Sequence, residues 1–337
     1  MKRTAALVRN HVPPGASKDA EDVIAQSRFV GRVLRELGWS VVEVELGTDL
    51  GEAVPTLRGI RPHVVFNLVE SIMGSDELAN VAPVIFRKLG LPFTGADSPV
   101  LFLTNDKLVA KRLMQSVGLP TPGGVDEVGL RRGRFPGPGR YIVKSRSEHA
   151  SLGLDESCVV RVSEAGELLA AMEERKGRMG GACMAEQFID GREFSVSVLE
   201  GADGRGQVLG VAEIVFRADM PVKIVGYDAK WEAGSEADQS TVRSFAFRKA
   251  ESGLARNLER AALDCWEELG LSGYARVDFR VDAGERLYII DVNANPCLAE
   301  DAGFMATAEE AGWRPAEVFS AIVAGALRRY GSERNIL

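Results

Sequence analysis

Four side chains in the last quarter of the chain have types that do chemistry and a spacing that brings them together. The stretch GYARVDFRVDAGERLYIIDVNANP reads as two strands joined by a turn at Ala283–Arg286. Side chains alternate across a strand. Arg276, Asp278 and Arg280 therefore share one face of the first strand, with Ala275, Val277, Phe279 and Val281 on the other. In the second strand Leu287, Ile289, Asp291 and Asn293 share a face. An antiparallel pairing in which Asp282 meets Leu287 sets Asp278 opposite Asp291 and Arg276 opposite Asn293. Directly opposed residues have Cβ atoms about 4.5–5.5 Å apart, and two carboxylates there repel unless a cation stands between them. With the Asn293 amide oxygen they make an all-oxygen site for a hard cation, suited to magnesium shared with phosphate oxygens. The plainer alternative is a solvated strand face on which Asp278 only pairs with Arg276 or Arg280.

Elements upstream must carry whatever this hairpin acts on. The first hundred residues alternate strand and helix: an apolar run at Ala5–Val8, a helix over Val23–Leu37 closed by Gly38, a strand over Trp39–Leu46, a buried strand at His63–Val69, and a helix over Glu77–Leu89 closed by Gly90. Strands separated by helices predict a small parallel sheet with helices on its faces. From Thr104 a punctuated helix follows, with Thr104 and Asn105 as N-cap candidates and Gly118 and Pro120 beyond its end. Residues Gly123–Gly139 are rich in Gly, Pro and Arg and read as a loop. Next come the strands RYIVKS and CVVRV and a helix from about Ser163. The last third is sheet-rich (ACMAEQFI, EFSVSVLE, QVLGVAEIVF), with a helix over Ser252–Leu269 before the hairpin and a terminal helix after it. The predicted organisation is an α/β chain: an N-terminal parallel domain over 1–100, then a two-part α+β fold over 101–190 and 191–337.

At 337 residues the chain is long enough for two or three cores. Its formal net charge of −7 and lack of a basic stripe argue against a nucleic-acid partner. No apolar run reaches the length of a membrane span, and MKRTAALVRN lacks the apolar core of a leader, so the expected location is cytoplasmic, with no membrane partner. Cys158, Cys183, Cys265 and Cys297 form no CxxC pair, and with three histidines a Cys/His zinc site is not expected. There is no GxxxxGK[ST], no GxSxG and no GxGxxG after the first strand.

RVDF followed by DVNANP resembles the magnesium-binding signature of the ATP-grasp superfamily, and in particular of the D-alanine–D-alanine ligase group. The likeness runs from about Val64 to Asn293 with its elements in the family's order: LPFTGAD and TNDKLVAK, YIVKSRSEHASLG, MAEQFIDGREFSVSVL, YDAKW, then the hairpin. The resemblance implies an ATP-grasp fold, ATP and Mg²⁺ (or Mn²⁺) as cofactors, amino-acid or peptide substrates, and a homodimer. Lys107 and Lys144 would neutralise α- and β-phosphate charge. Lys144 ends the apolar run Tyr141-Ile142-Val143, where an unpaired ammonium is costly. Ser151 lies in a phosphate-covering loop, Ser147 to Gly153, which can offer backbone N–H groups. Glu186, Gln187 and Ile189 would present the adenine hinge, Glu193 the ribose contact, and Lys230 a cation for the terminal phosphate. Arg276 would stabilise charge on the acyl intermediate, with Asp278, Asp291 and Asn293 on the metal.

Both substrate-facing ends depart from the family. D-Alanine–D-alanine ligases carry a histidine-glycine pair after the third strand; this chain has Glu70-Ser71. The family's first loop is glycine-rich with a glutamate for the substrate amine; here it is HVPPGASKDAED, with Glu21 or Asp22 as counterpart. Asp291 stands where many relatives have Glu, and CLAEDAGF replaces a run of small residues. The expected activity is an ATP-dependent carboxylate–amine ligation through an acyl phosphate, on a different substrate, with Glu70 and Glu21 as candidate substrate contacts. The alternatives are a kinase or a non-catalytic nucleotide-binding protein on the same scaffold.

Overall fold

The computed structural model describes residues 3–47, 50–147, 151–227, 241–246 and 251–334. Among the described residues, three sheets carry the strands. The first is parallel, with β1 (Thr4–Asn10) between β2 (Ser40–Leu46) and β3 (Val64–Leu68). Every residue of β3 is buried, as its Val-Val-Phe-Asn-Leu composition requires of a strand covered on both faces. The Lys18–Glu36 helix and the last helix, Pro315–Arg334, share a core with β1 and β3, in which Phe319 packs edge-on against Phe29 and Phe66 at 5.6 and 5.7 Å.

The second sheet is antiparallel, in the order β4 (Gly124–Val125), β7 (Cys183–Gln187), β5 (Gly139–Ser145), β6 (Val159–Val162). The third is also antiparallel: β10 (Thr241–Ser244), β9 (Gly206–Phe216), β8 (Arg192–Glu200), β11 (Tyr274–Val281), β12 (Leu287–Asn293). The Ser252–Glu268 helix lays Leu254, Leu258, Ala262 and Cys265 on the core side of this sheet, against Val277 and Phe279. Gly191, which joins β7 to β8, has φ +155° and lies so close to the Val281 carbonyl that a Cβ would meet it at 2.0 Å. Only glycine fits that turn.

Several expectations are corrected. A helix at Leu50–Ile60 was not foreseen, since Pro55, Gly51 and Gly59 mask its period. The segment over 77–89 is a short 3-10 turn, Asp76–Leu78, followed by a helix only at Val81–Lys88. Thr104 and Asn105 cap nothing, because they end a preceding helix, Ser98–Asn105. The cap of Lys107–Ser116 is Asp106, whose carboxylate accepts from the N–H groups of Leu108 and Val109. The 123–139 loop contains β4 and a short helix, Glu127–Arg131, too brief to show a period. The terminal helix is two helices, Gly303–Glu310 and Pro315–Arg334.

The β11–β12 hairpin differs from the expectation in its register. Val281, not Asp282, meets Leu287, and Phe279 meets Ile289. A bulge then inserts Ile290, after which Asp278 pairs with Asp291 and Arg276 with Asn293. Leu287 and Ile289 consequently lie on the core side, while Asp291 and Asn293 face the cleft.

Candidate active site

A cleft of about 680 Å³ runs between the second and third sheets and reaches the C-terminal end of β3. Of the residues singled out in the sequence, Glu70, Lys107, Lys144, Ser151, Glu186, Gln187, Ile189, Glu193, Arg276, Asp278, Asp291 and Asn293 all line it. Glu21 is exposed and does not; Asp22, one position on, does. Residues 228–240 are not described, so Lys230 lies outside the described residues.

Charge is organised by the strands. Arg276 grips Asp278 through Nε and Nη2 at 2.9 Å, and Ser195 Oγ donates to the same carboxylate at 2.5 Å. Asp278, then Asp291, holds the Arg276 pKa well above its ordinary value, against the opposing effect of burial. The plainer pairing envisaged from sequence thus coexists with the opposed carboxylates. Asn293 Oδ1 accepts from the Asn295 N–H at 3.1 Å. Among the described residues, no group of three or more His, Cys, Asp or Glu has metal-holding geometry. The candidate set is therefore two carboxylates facing each other on adjacent strands plus an amide oxygen, a donor chemistry that fits a hard divalent cation.

At the end of the cleft formed by the second sheet, Glu186 is buried between two lysines, with Lys144 Nζ 2.8 Å from Oε1 and Lys111 Nζ 2.5 Å from Oε2. The Lys111 contact is an ion pair, not a well-aligned hydrogen bond. Burial alone would raise the Glu186 pKa, but Lys111 and Lys144 outweigh it and the carboxyl stays below its ordinary range. Lys144 shifts up, since Glu186 and Asp291 outweigh its burial, and Nζ also donates to the Ile290 carbonyl at 3.1 Å. Lys107 opens its helix, with its N–H on the Arg146 carbonyl at 3.0 Å. Gln187 and Phe188 give their N–H groups to Gly123 and Arg140, which leaves Ile189 as the first hinge residue past the sheet. Glu193 is paired with Arg280 at 2.7 Å. Ser151, at φ +62°, donates its hydroxyl to the Val225 carbonyl at 3.0 Å.

Sequence reading missed Lys111 and the pairing of Arg280 with Glu193. Lys111 lies one helical turn from Lys107, a spacing that puts both on one side of the helix and was the available signal. Arg280 meets Glu193 only through the β8–β11 pairing, which no local pattern reveals.

At the other end of the cleft, two carboxylates flank a thiol. Cys297 Sγ donates to Asp22 Oδ2 at 3.1 Å, and Gln26 Nε2 donates to Glu70 Oε1 at 2.9 Å. Gln26 Oε1 in turn accepts from the Leu298 N–H. Burial first, then Glu70 and Asp22, pushes the Cys297 pKa far up, so the thiol stays protonated. Arg243 enters from β10, donating to the Asp301 carbonyl at 3.4 Å.

Residues 139–324 match the family model for the C-terminal part of D-alanine–D-alanine ligases. The chain is 31% identical over 301 residues to a D-alanine–D-alanine ligase of Acidiphilium cryptum, covering 88% of this chain and 89% of the relative. With the D-alanine–D-alanine ligase of Aquifex aeolicus it shares 27% over 316 residues, covering 92% and 97%. A crystal structure of the Bacillus anthracis ligase complexed with ATP superposes with a TM-score of 0.74 at 19% identity, covering 99% of each chain, which establishes the shared fold. The chain therefore belongs to the D-alanine–D-alanine ligase family of ATP-grasp enzymes, amide-bond-forming ligases that use ATP and Mg²⁺.

Proposed function

We propose that this ligase joins a carboxylate to the amine of a cationic amino acid or peptide, and that the D-alanine pair is not its substrate. The observation that carries this reading is the paired carboxylates Asp22 and Glu70 in the cleft that also holds Arg276, Asp278 and Asp291. Glu70 follows the C-terminal end of β3, where open α/β sheets bind ligands. It replaces a neutral or weakly basic element with a second negative charge, and an ammonium group is the complement of that charge.

Bound ATP with Mg²⁺ supplies the phosphoryl group that activates the substrate carboxylate as an acyl phosphate. The chain's part is positioning and charge neutralisation, which is most of what phosphoryl transfer asks of a protein. Lys107 and Lys144 meet phosphate charge, Asp278, Asp291 and Asn293 hold the cation, and Ile189 and Glu193 orient the nucleoside. Arg276 stabilises negative charge as the amine attacks, and Asp22 and Glu70 orient that amine.

The test is a panel of amino acids and dipeptides incubated with ATP, reading phosphate release and product mass together. Phosphate should appear only with a carboxylate substrate present, and hydroxylamine should trap the activated acyl group as a hydroxamate. Glu70→Gln should raise the KM of the amine substrate more than that of ATP, since a lost charge-assisted contact costs about 1.5–3 kcal/mol. Efficient D-alanyl-D-alanine synthesis, with Glu70→Gln unchanged in every constant, overturns the substrate assignment. Phosphorylated product without amide, whatever amine is offered, would make it a kinase.

A further inference from the structure

The pairing of Asp278 with Asp291 exists only because of the bulge at Ile290. From Val281↔Leu287 and Phe279↔Ile289, an unbroken ladder would set Asp278 against Ile290 and Asp291 against Val277. Asp291 would then point into the apolar core with Val277 and Val292 would turn outward, because a one-residue slip moves every side chain to the other face. A bulge leaves backbone groups of the extra residue without ladder partners, and β12 is the edge of its sheet, so its outward groups on either side of the bulge have no strand to pair with.

Two neighbouring carbonyls are held here by one continuous chain of buried and half-buried groups. Thr121 Oγ1 donates its only proton to the Ile289 carbonyl at 2.7 Å. That same oxygen accepts from Lys111 Nζ at 3.0 Å, and an ammonium group can only donate, so the direction of the hydroxyl is fixed. Lys111 pairs with Glu186, Glu186 with Lys144, and Lys144 donates to the Ile290 carbonyl. The chain starts on one bulge carbonyl and ends on the next. The Ile289 N–H is taken as well, by the Pro120 carbonyl at 2.8 Å. Lys111 is 2% exposed, and neither it nor Thr121 lines the cleft, so a direct contact with nucleotide does not account for either.

We propose that Thr121 and Lys111 are positioning residues which, through Glu186 and Lys144, pin the β12 bulge and so set Asp291 against Asp278. The proposal rests on the reading of those two aspartates as the cation's ligands. It makes the buried Lys111–Glu186–Lys144 row a structural link between the nucleotide hinge and the metal ligands.

The test uses the full chain, Mn²⁺ as a paramagnetic probe and a non-hydrolysable ATP analogue, with bound Mn²⁺ read by electron paramagnetic resonance and metal-free analogue binding by calorimetry. Thr121→Val keeps the side-chain shape and removes the hydroxyl. It should weaken Mn²⁺ binding by about 10- to 100-fold, the effect of removing a residue that orients a ligand, and change metal-free analogue binding far less, because Glu186 and Lys144 keep each other as partners. Thr121→Ser retains the hydroxyl and should bind Mn²⁺ like the parent chain. Thr121→Val with parental Mn²⁺ affinity overturns the proposal, and so does a folded serine variant that has lost it. Asp291→Asn is the control: if it keeps Mn²⁺, the ligand assignment itself has failed, and that result is distinct from a failure of the pinning.

Discussion

Asp278 accepts from Arg276 through both oxygens and from Ser195 as well, so an arriving cation meets a carboxylate already engaged and already oriented. In the proposed site Asp291 across the ladder would add a second carboxylate ligand. Asp278→Asn or Asp291→Asn should lower magnesium-dependent turnover by more than about 100-fold, because each removes an anionic ligand where orienting residues alone are worth about 10- to 100-fold. ADP release measured across a magnesium titration checks this, with circular dichroism confirming the fold; near-parental rates at low magnesium in both variants would refute it. Much at this scale was legible in the sequence, because the hairpin spacing alone sets Asp278 opposite Asp291 and Arg276 opposite Asn293, although the bulge breaks the alternation that had put Asp291 on the face of Ile289. Other features were hidden. The grip of Lys111 and Lys144 on Glu186 joins a helix and two strands, and the Arg280–Glu193 pair depends on a strand pairing across almost ninety residues of chain. Asp22 rather than Glu21 faces the cleft because of where the Lys18–Glu36 helix begins, five residues earlier than its apolar period suggests.

The Lys107–Ser116 helix shows how an element is aimed. Asp106 caps its first turn, and Arg146 binds the same carboxylate, with Nη2 at 2.6 Å from Oδ2. Burial would raise the Asp106 pKa, but the Arg146 hydrogen bond and the N–H groups of Val109 and Leu108 outweigh it, and the folded value lies below the ordinary 3.8. A carboxyl whose pKa is lower in the folded state holds fewer protons there than when unfolded. Its stabilisation is therefore complete above the unfolded value and is lost as pH falls through the folded one. Asp106→Ala should cost about 0.5–2 kcal/mol at neutral pH, as capping residues do, and the difference from the parent chain should shrink below pH 4. Urea unfolding at pH 7 and pH 3 measures both; a pH-independent difference would count against the assignment. The parallel and antiparallel sheets were readable from runs of apolar residues and their turns. The Ile290 bulge was not, since isoleucine is as apolar as its neighbours and nothing local marks it as the extra residue.

The N-terminal sheet and the end of the chain make one core. Phe319 of the last helix meets Phe29 and Phe66, and Arg329 of that helix reaches the carbonyls of Phe93 and Gly95 and the buried carboxylate of Glu200. Phe319→Ala should destabilise the whole protein by about 3–5 kcal/mol, seen as a lower denaturation midpoint, while a change below 1 kcal/mol would mean that the aromatic cluster is dispensable. Glu200 belongs to β8 of the third sheet, so the same helix also ties that sheet to the layer that carries Glu70. No described helix is long and apolar enough to cross a membrane. This closure of the chain on itself has a consequence for biosynthesis. Translation proceeds from the N-terminus, and domains ordinarily fold as they emerge, yet Phe29 and Phe66 have to wait for Phe319. This sheet is thus sealed after the β11–β12 hairpin has been made, and a chain synthesised only as far as Trp313 would leave Phe29 and Phe66 open to a chaperone.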